Sequence, residues 1–248
     1  MQYQVKSEIR PLRFVITHNP GFEHDYVTPK NLIEKIEHNN SLIDNPDYLL
    51  FDDLIQVKKA QKEHKQLYDI LHHSTDGNCY EFIDLLKVVL KNNNIKLLLI
   101  DECAKLEMSL YNNSIDKEIL NKLDIDLLIT ALLTGYHLDQ RIFTYPIPNL
   151  IFTRDIAVCI GKTILITWSK KDVRKRENIL AKYLFTYYPA FSEMNIYDFH
   201  SNHPDLSIEG GDILVFDEKR ICIGMSERTP IESINKLASL FFNEGFRT

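Results

Sequence analysis

The stretch Asp155-Ile156-Ala157-Val158-Cys159-Ile160-Gly161-Lys162-Thr163-Ile164-Leu165-Ile166 decides the fold. Apolar residues flank the turn pair Gly161-Lys162, so the segment reads as two strands of a hairpin. A second copy opens at Asp212-Ile213-Leu214-Val215 and returns as Ile221-Cys222-Ile223 across the turn Asp217-Glu218-Lys219. The acid precedes the returning strand by nine residues in both copies, Asp155 to Ile164 and Asp212 to Ile221. Each hairpin is followed by an arginine, Arg174 or Arg228, and then by a helical pattern. In the second helix Thr229 suits the N-cap, Pro230 the first turn, Glu232 a capping box and Gly245 the C-terminal cap. Ile234, Leu237, Ala238 and Phe241 form its apolar stripe. Two copies displaced by 57 residues (212 − 155) predict a pseudo-symmetric α/β architecture. Each unit sets its acid at a strand start and its arginine at a helix start, so carboxylates and guanidinium groups converge if those ends meet.

Upstream the pattern changes. Leu12 to Thr17 predicts a strand, ended by the turn cluster His18-Asn19-Pro20-Gly21. Asn39-Asn40 and Asn45-Pro46-Asp47 mark loops. Leu54, Val57, Ala60, Leu67 and Leu71, with His64 in register, recur at helical steps, and Ser74-Thr75-Asp76-Gly77-Asn78 ends that helix. Tyr80 to Lys91 predicts a second helix, closed by Asn92-Asn93-Asn94, and Lys96 to Ile100 a short buried strand. From Glu102 to Gly135 the period is helical again, with Leu127, Leu128, Ala131 and Leu132 on one face. The chain therefore divides into 1–51, a helical block with one strand over 52–140, and a β-rich part over 141–248.

At 248 residues, 44% of them hydrophobic, the chain can bury a large core. A net charge of −6 sets a general nucleic-acid binder behind other classes, and Lys170, Lys171, Arg174, Lys175 and Arg176 read as a helix start with solvated lysines and one ligand-binding arginine. No apolar run suggests a leader or a membrane span, so cytoplasm is the default expectation. Cys79, Cys103, Cys159 and Cys222 are widely spaced, which predicts buried, reduced thiols and no structural zinc site. Asp155 by itself suits a turn or a surface ion pair. In Glu209-Gly210-Gly211-Asp212, two glycines between two acids allow a sharp bend or a positive φ and let a ligand approach the backbone closely, with both carboxylates pointing into one space.

The segments Asn149-Leu150-Ile151-Phe152-Thr153-Arg154-Asp155, Arg174-Lys175-Arg176-Glu177, Glu209-Gly210-Gly211-Asp212 and Gly224-Met225-Ser226-Glu227-Arg228-Thr229 resemble arginine deiminase signatures, in the family's order. Ser7-Glu8-Ile9, Pro20-Gly21 and Leu49-Leu50-Phe51-Asp52-Asp53 are similar to its N-terminal pattern. The resemblance implies a pentein-type α/β propeller of repeated ββαβ units, with the helical block inserted between early blades and the C-terminal blades missing. It implies hydrolysis of L-arginine to citrulline and ammonia through a covalent cysteine intermediate, with no cofactor. Asp155 would grip the substrate guanidinium; Leu50 and Phe152 would pack its aliphatic stem; Asn149, Arg174 and Arg228 would hold its α-carboxylate. Glu209 would orient a catalytic histidine, with Asp212 in support.

The family's order continues with a His-x-Asp strand and a late cysteine. Neither follows Glu209 here, and His137-Leu138-Asp139 lies upstream, where it reads as a helix-end histidine beside a solvated aspartate. The expectation is a chain without turnover on its own, associating with a copy of itself or with a complementing C-terminal chain. A related amidine hydrolase or amidinotransferase, and a non-catalytic guanidine-binding module or relic, remain open alternatives.

Overall fold

The computed structural model describes residues 3–38, 41–51, 53–243 and 245–246. The Asn39-Asn40 loop marker, Asp52, Arg247 and Thr248 lie outside the described residues. The chain begins with strand β1 (Val15–Thr17), shorter than the predicted Leu12 to Thr17, and then the hairpin strands β2 (Lys35–His38) and β3 (Ser41–Asp44). A helical block follows: α1 (Val57–Ser74), β4 (Cys79–Glu81), α2 (Phe82–Leu90), α3 (Asn93–Tyr111), α4 (Lys117–Lys122) and α5 (Ile125–Thr134). A small hairpin, β5 (Tyr136–His137) and β6 (Gln140–Arg141), leads out of it. The β-rich part holds α6 (Thr153–Ile156), β7 (Ala157–Ile160), β8 (Thr163–Ile166), α7 (Lys175–Tyr187), β9 (Asn195–Asp198) and α8 (Phe199–Asn202). It continues with β10 (Ile213–Val215), β11 (Ile221–Ile223) and α9 (Ile231–Asn243).

Both predicted hairpins are present. β7 and β8 pair antiparallel with Ala157 opposite Ile166, and β10 and β11 with Ile213 opposite Ile223. Gly161 turns the first at φ +57, a backbone that a side chain would strain. After α7 the chain returns as β9, parallel to β8, so the first unit is a complete ββαβ element. The fold is mixed α/β built from small sheets. The amino-terminal segment ties the two units together: Val5 bridges Gly161, and the Glu8 N–H donates to Val215 O at 2.9 Å.

Several expectations change in the helical block. Lys96 to Ile100 is helix, not strand. The Asn92 side chain accepts from the N–H groups of Asn94 and Ile95, which starts α3 one turn earlier than the apolar run suggests. Leu99, Ile100, Cys103 and Glu107 then share its buried face, while Leu97 and Leu98 are exposed. A four-residue apolar run carries no period of its own, and the cap decides it. The strand that the block holds ahead of the β5–β6 hairpin is instead β4, at the start of the predicted Tyr80 to Lys91 helix; it pairs parallel with β1. The predicted stripe on α1 shifts in part: Leu54 precedes the helix, Leu54 and Leu67 are exposed, and Val57, Ala60, Gln61, His64, Tyr68 and Leu71 are the half-buried positions. Leu127 is exposed while Leu128, Ala131 and Leu132 are buried. Glu102 to Gly135 resolves into three helices because Asp116 and Asp124 each cap a new start.

One apolar core runs from Phe82, Leu86, Leu99 and Leu132 through Ile156, Leu165, Leu180 and Leu184 to Leu237. α7 is the shared element, packed between α2, α3 and the strand β8. A small second cluster, Val27, Leu49 and Phe51, lies apart from it. Among the described residues no helix is long and apolar enough to cross a membrane.

Candidate functional site

The ends of the two units meet at one cleft. Asp155 sits on the short helix α6 that leads into β7, and Glu209 precedes a 3-10 turn, Gly210–Asp212, that leads into β10. Gly210 lies against the chain before Asp155: a Cβ there would stand 2.1 Å from Arg154 O and 2.5 Å from a Val158 methyl. A Cβ on Gly211 would stand 2.7 Å from Asp155 Oδ1. Neither glycine has positive φ. The pair therefore serves close approach rather than an unusual backbone conformation. Arg154 fastens the contact, donating through Nε to Gly210 O at 3.0 Å and through Nη2 to Ile213 O.

A cavity of about 360 Å³ opens over this junction, lined by Asp155, Glu209, Gly211, Asp212, Ser226, Glu227 and Arg228. Below it lies Arg174, whose side chain is 1% exposed. Its Nη1 donates to Asp155 Oδ2 at 2.9 Å and stands 3.8 Å from Glu209 Oε2. Its Nε donates to Glu177 Oε2 at 3.0 Å, and Nη2 reaches the same oxygen at 3.0 Å and Asn149 O at 3.3 Å. Arg228 reaches Glu209 Oε2 at 3.3 Å with its own side chain 44% exposed. The first repeat's arginine is thus buried among carboxylates, and the second repeat's arginine borders the cavity.

Burial raises the Glu209 carboxyl above the usual carboxylate range, against the pull of Arg174 and Arg228. Burial pushes Glu177 up to about 7, against the pull of Arg174. Glu177 Oε1 and Glu209 Oε1 are both buried without a hydrogen-bond partner among the described residues. Around Arg174 and Arg228 stand Asp155, Glu177, Glu209 and Asp212. With all ionised, four carboxylates against two guanidinium groups leave two negative charges uncompensated (4 − 2), before the exposed Glu227 is counted. Such a cleft favours a cation.

The predicted residues divide into two groups. Asp155, Glu209, Asp212 and Arg228 line the cavity. Leu50, Asn149, Phe152 and Arg174 stand outside that lining. Asn149 is buried, and its amide donates to Leu49 O at 2.6 Å, tying the loop of Leu50 to α6. Leu50 itself holds φ +56, a strained conformation for a branched side chain. Phe152 is 47% exposed. Asp212 accepts from Ser226 Oγ at 2.8 Å, and Ser226 Oγ in turn accepts the N–H groups of Arg228 and Thr229 at 3.1 Å, which fixes the loop presenting Arg228. The Thr229 hydroxyl accepts from Glu209 N at 3.1 Å, so the residue read as the cap of α9 tethers the site instead, while Pro230 directly precedes the helix start at Ile231.

His137 lies in β5, not at a helix end; Leu138 and Asp139 turn the hairpin at positive φ. It does not line the cavity. Cys222 is exposed rather than buried, whereas burial pushes the Cys159 thiol up to about 11 and the Cys103 thiol up to about 12. Among the described residues no histidine or cysteine lines the cavity. Three contributors lacked an assigned role in the sequence: Glu177, Ser226 and Thr167, whose hydroxyl donates to Asp155 O at 2.6 Å. The Arg-x-x-Glu spacing of Arg174 and Glu177 at a helix start was the available signal for the first of them.

A family model described as arginine deiminase matches residues 117–248. The chain is 32% identical over 262 residues to an arginine deiminase of Borreliella burgdorferi (strain ZS7), covering 96% of this chain and 59% of that protein. It is 30% identical over 264 residues to one of Listeria monocytogenes serotype 4a (strain HCC23), covering 96% and 59%. It is 28% identical over 247 residues to one of Metamycoplasma arthritidis (strain 158L3-1), covering 94% and 56%. The chain thus spans 56–59% of the length of these curated relatives.

Proposed function

The chain belongs to the arginine deiminase family, and from that premise we propose that its cleft is the ligand-holding part of a site that hydrolyses L-arginine to citrulline and ammonia. The observation that carries this reading is the meeting of Asp155, Glu209, Asp212 and Arg228 in one cavity with surplus negative charge. A planar guanidinium matches a carboxylate fork, and Asp155 presents one oxygen beside Gly211 while Arg174 holds the other. Arg228, at the cavity's border, is placed for a carboxylate on the same ligand. Arg174 contributes by fixing the acids, and Asn149 by fixing the Leu50 loop.

The family reaction needs a thiolate to attack the guanidinium carbon and a histidine to move protons. The cavity's lining supplies carboxylates and a guanidinium instead. On this reading the described lining binds and orients, and turnover requires groups from outside it. The complete ββαβ unit and the second hairpin-helix copy support an α/β propeller of the guanidine-modifying superfamily, with 52–140 as the inserted helical block.

Calorimetric titration with L-arginine, paired with a citrulline assay, tests this. Saturable binding that is lost in Asp155→Asn, with no citrulline formed, is the expected result. An absence of binding at millimolar arginine overturns the proposal, and citrulline production overturns its division between binding and chemistry. Agmatine, which lacks the carboxylate, separates the alternatives: equal affinity for agmatine and arginine favours another amidine substrate over arginine.

A further inference from the structure

Glu177 is a fully buried carboxylate on the first turn of α7, beneath the cavity and outside its lining. It engages Arg174 along the Nε/Nη2 edge, the edge that forms paired hydrogen bonds with a carboxylate. Arg174 is left with only Nη1 for Asp155, so a single hydrogen bond joins those two groups. We infer that Glu177 is a positioning residue that sets the charge of the site: by holding Arg174 along that edge, it leaves Asp155 free to grip a cationic ligand. This inference rests on the reading of the cleft as a guanidinium site.

The charges facing Glu177 come from several elements. Arg174 and Asp155 lie on the site side, with Glu209 beyond Arg174. Arg176, on α7 itself, is held by Glu107 of α3 at 3.0 Å and by Leu132 O of α5. Farther along α7, Lys182 pairs with Glu102 of α3 and Asp198 of β9. Arg176 and Lys182 thus have their own carboxylates, and Arg174 is the cation shared among Glu177, Asp155 and Glu209. A proton on Glu177 leaves Arg174 less compensated, and its charge then opposes an incoming cation. Reciprocally, a bound cation expels that proton.

The test compares the intact wild type with Glu177→Gln, which keeps the shape and an oxygen acceptor for Arg174 but carries no charge. Wild-type affinity for L-arginine should rise by about fivefold from pH 6 to pH 8, the effect of one pKa unit of coupling at a group titrating near 7. Glu177→Gln should bind more weakly at pH 8 and show a flatter profile. A purely structural role predicts lower stability with the pH profile unchanged, and that result overturns the inference. Should the variant not fold, wild-type calorimetry in two buffers of different ionisation enthalpy still reads proton release on binding; no release near pH 7 overturns it. Failure of the wild type to bind arginine at any pH sinks the parent reading, and the unliganded proteins then decide for Glu177. The folded carboxyl titrates above its unfolded value, so wild-type stability relative to Glu177→Gln should fall as pH rises from about 4.5 through about 7. Coincident stability curves would reject a titrating Glu177.

Discussion

Replacing Gly210 by alanine tests the junction on which the site is built. The added methyl would stand 2.1 Å from Arg154 O and 2.5 Å from a Val158 methyl, against carbon contacts of about 3.5–4.0 Å. The two segments must part by roughly 1 Å to admit it. The Arg154 peptide has little freedom to move: its side chain is bonded to Gly210 O and Ile213 O, and the adjacent Asp155 carbonyl accepts from Thr167 at 2.6 Å. Overpacking of this kind costs about 1–3 kcal/mol, and a pinned backbone places Gly210→Ala near the upper end. For a chain of this size that lowers the unfolding temperature by about 5–10 °C. Gly211→Ala is the control. Its methyl meets the Asp155 carboxylate at 2.7 Å, a side chain that can turn away. Stability should change by less than about 1 kcal/mol, while arginine affinity falls by about 10–100-fold with the loss of a charge-assisted hydrogen bond. Scanning calorimetry and arginine titration of both variants separate the two effects. A Gly210→Ala protein unfolding within about 1 °C of wild type, or a Gly211→Ala protein less stable than Gly210→Ala, would refute the close-approach reasoning.

Arg228→Ala should weaken L-arginine by about 10-fold or more and leave agmatine little changed, measured by competitive titration; equal loss for both ligands would remove Arg228 from the carboxylate role. Burial lowers the pKa of His24, partly opposed by Glu23, with His18 and Asp25 also close and the ring 4.9 Å from Phe51. The unfolded histidine gains its proton at higher pH than the folded one, so stability is full above about 6.5 and falls as the solution is acidified. His24→Phe should shallow that decline in thermal melts between pH 8 and pH 5, although the half-buried His64 and His200, whose pKa values desolvation also lowers, keep part of it. Asn92→Ala removes the cap that starts α3 and should cost about 1 kcal/mol, read as a 2–4 °C lower melting temperature.

The local elements of the β-rich part were legible in the sequence because their signals are local. Gly161 marks a turn that needs positive φ, and alternation around it sets both strands of that hairpin. The acid-before-strand and arginine-before-helix order likewise set Asp155, Arg174, Asp212 and Arg228 at like ends of two units, where they converge if those ends meet. Lys96 to Ile100 was not legible, because a short apolar run suits a strand or a helix and only the Asn92 cap chooses. The β1–β4 pairing was hidden for another reason: its partners are 64 residues apart, and no turn between them records it (Val15 with Cys79). Tertiary structure alone divided the work of the site. Sequence treats Arg174 and Arg228 as equivalents, yet packing buries Arg174 on Glu177 and leaves Arg228 at the cavity's border. It also gave Gly210 and Gly211 their meaning, which is closeness to Arg154 and Asp155 rather than an unusual φ. Burial and close contact depend on which segments meet across the chain. The residues beside Arg174 or Gly210 in sequence carry no record of that meeting.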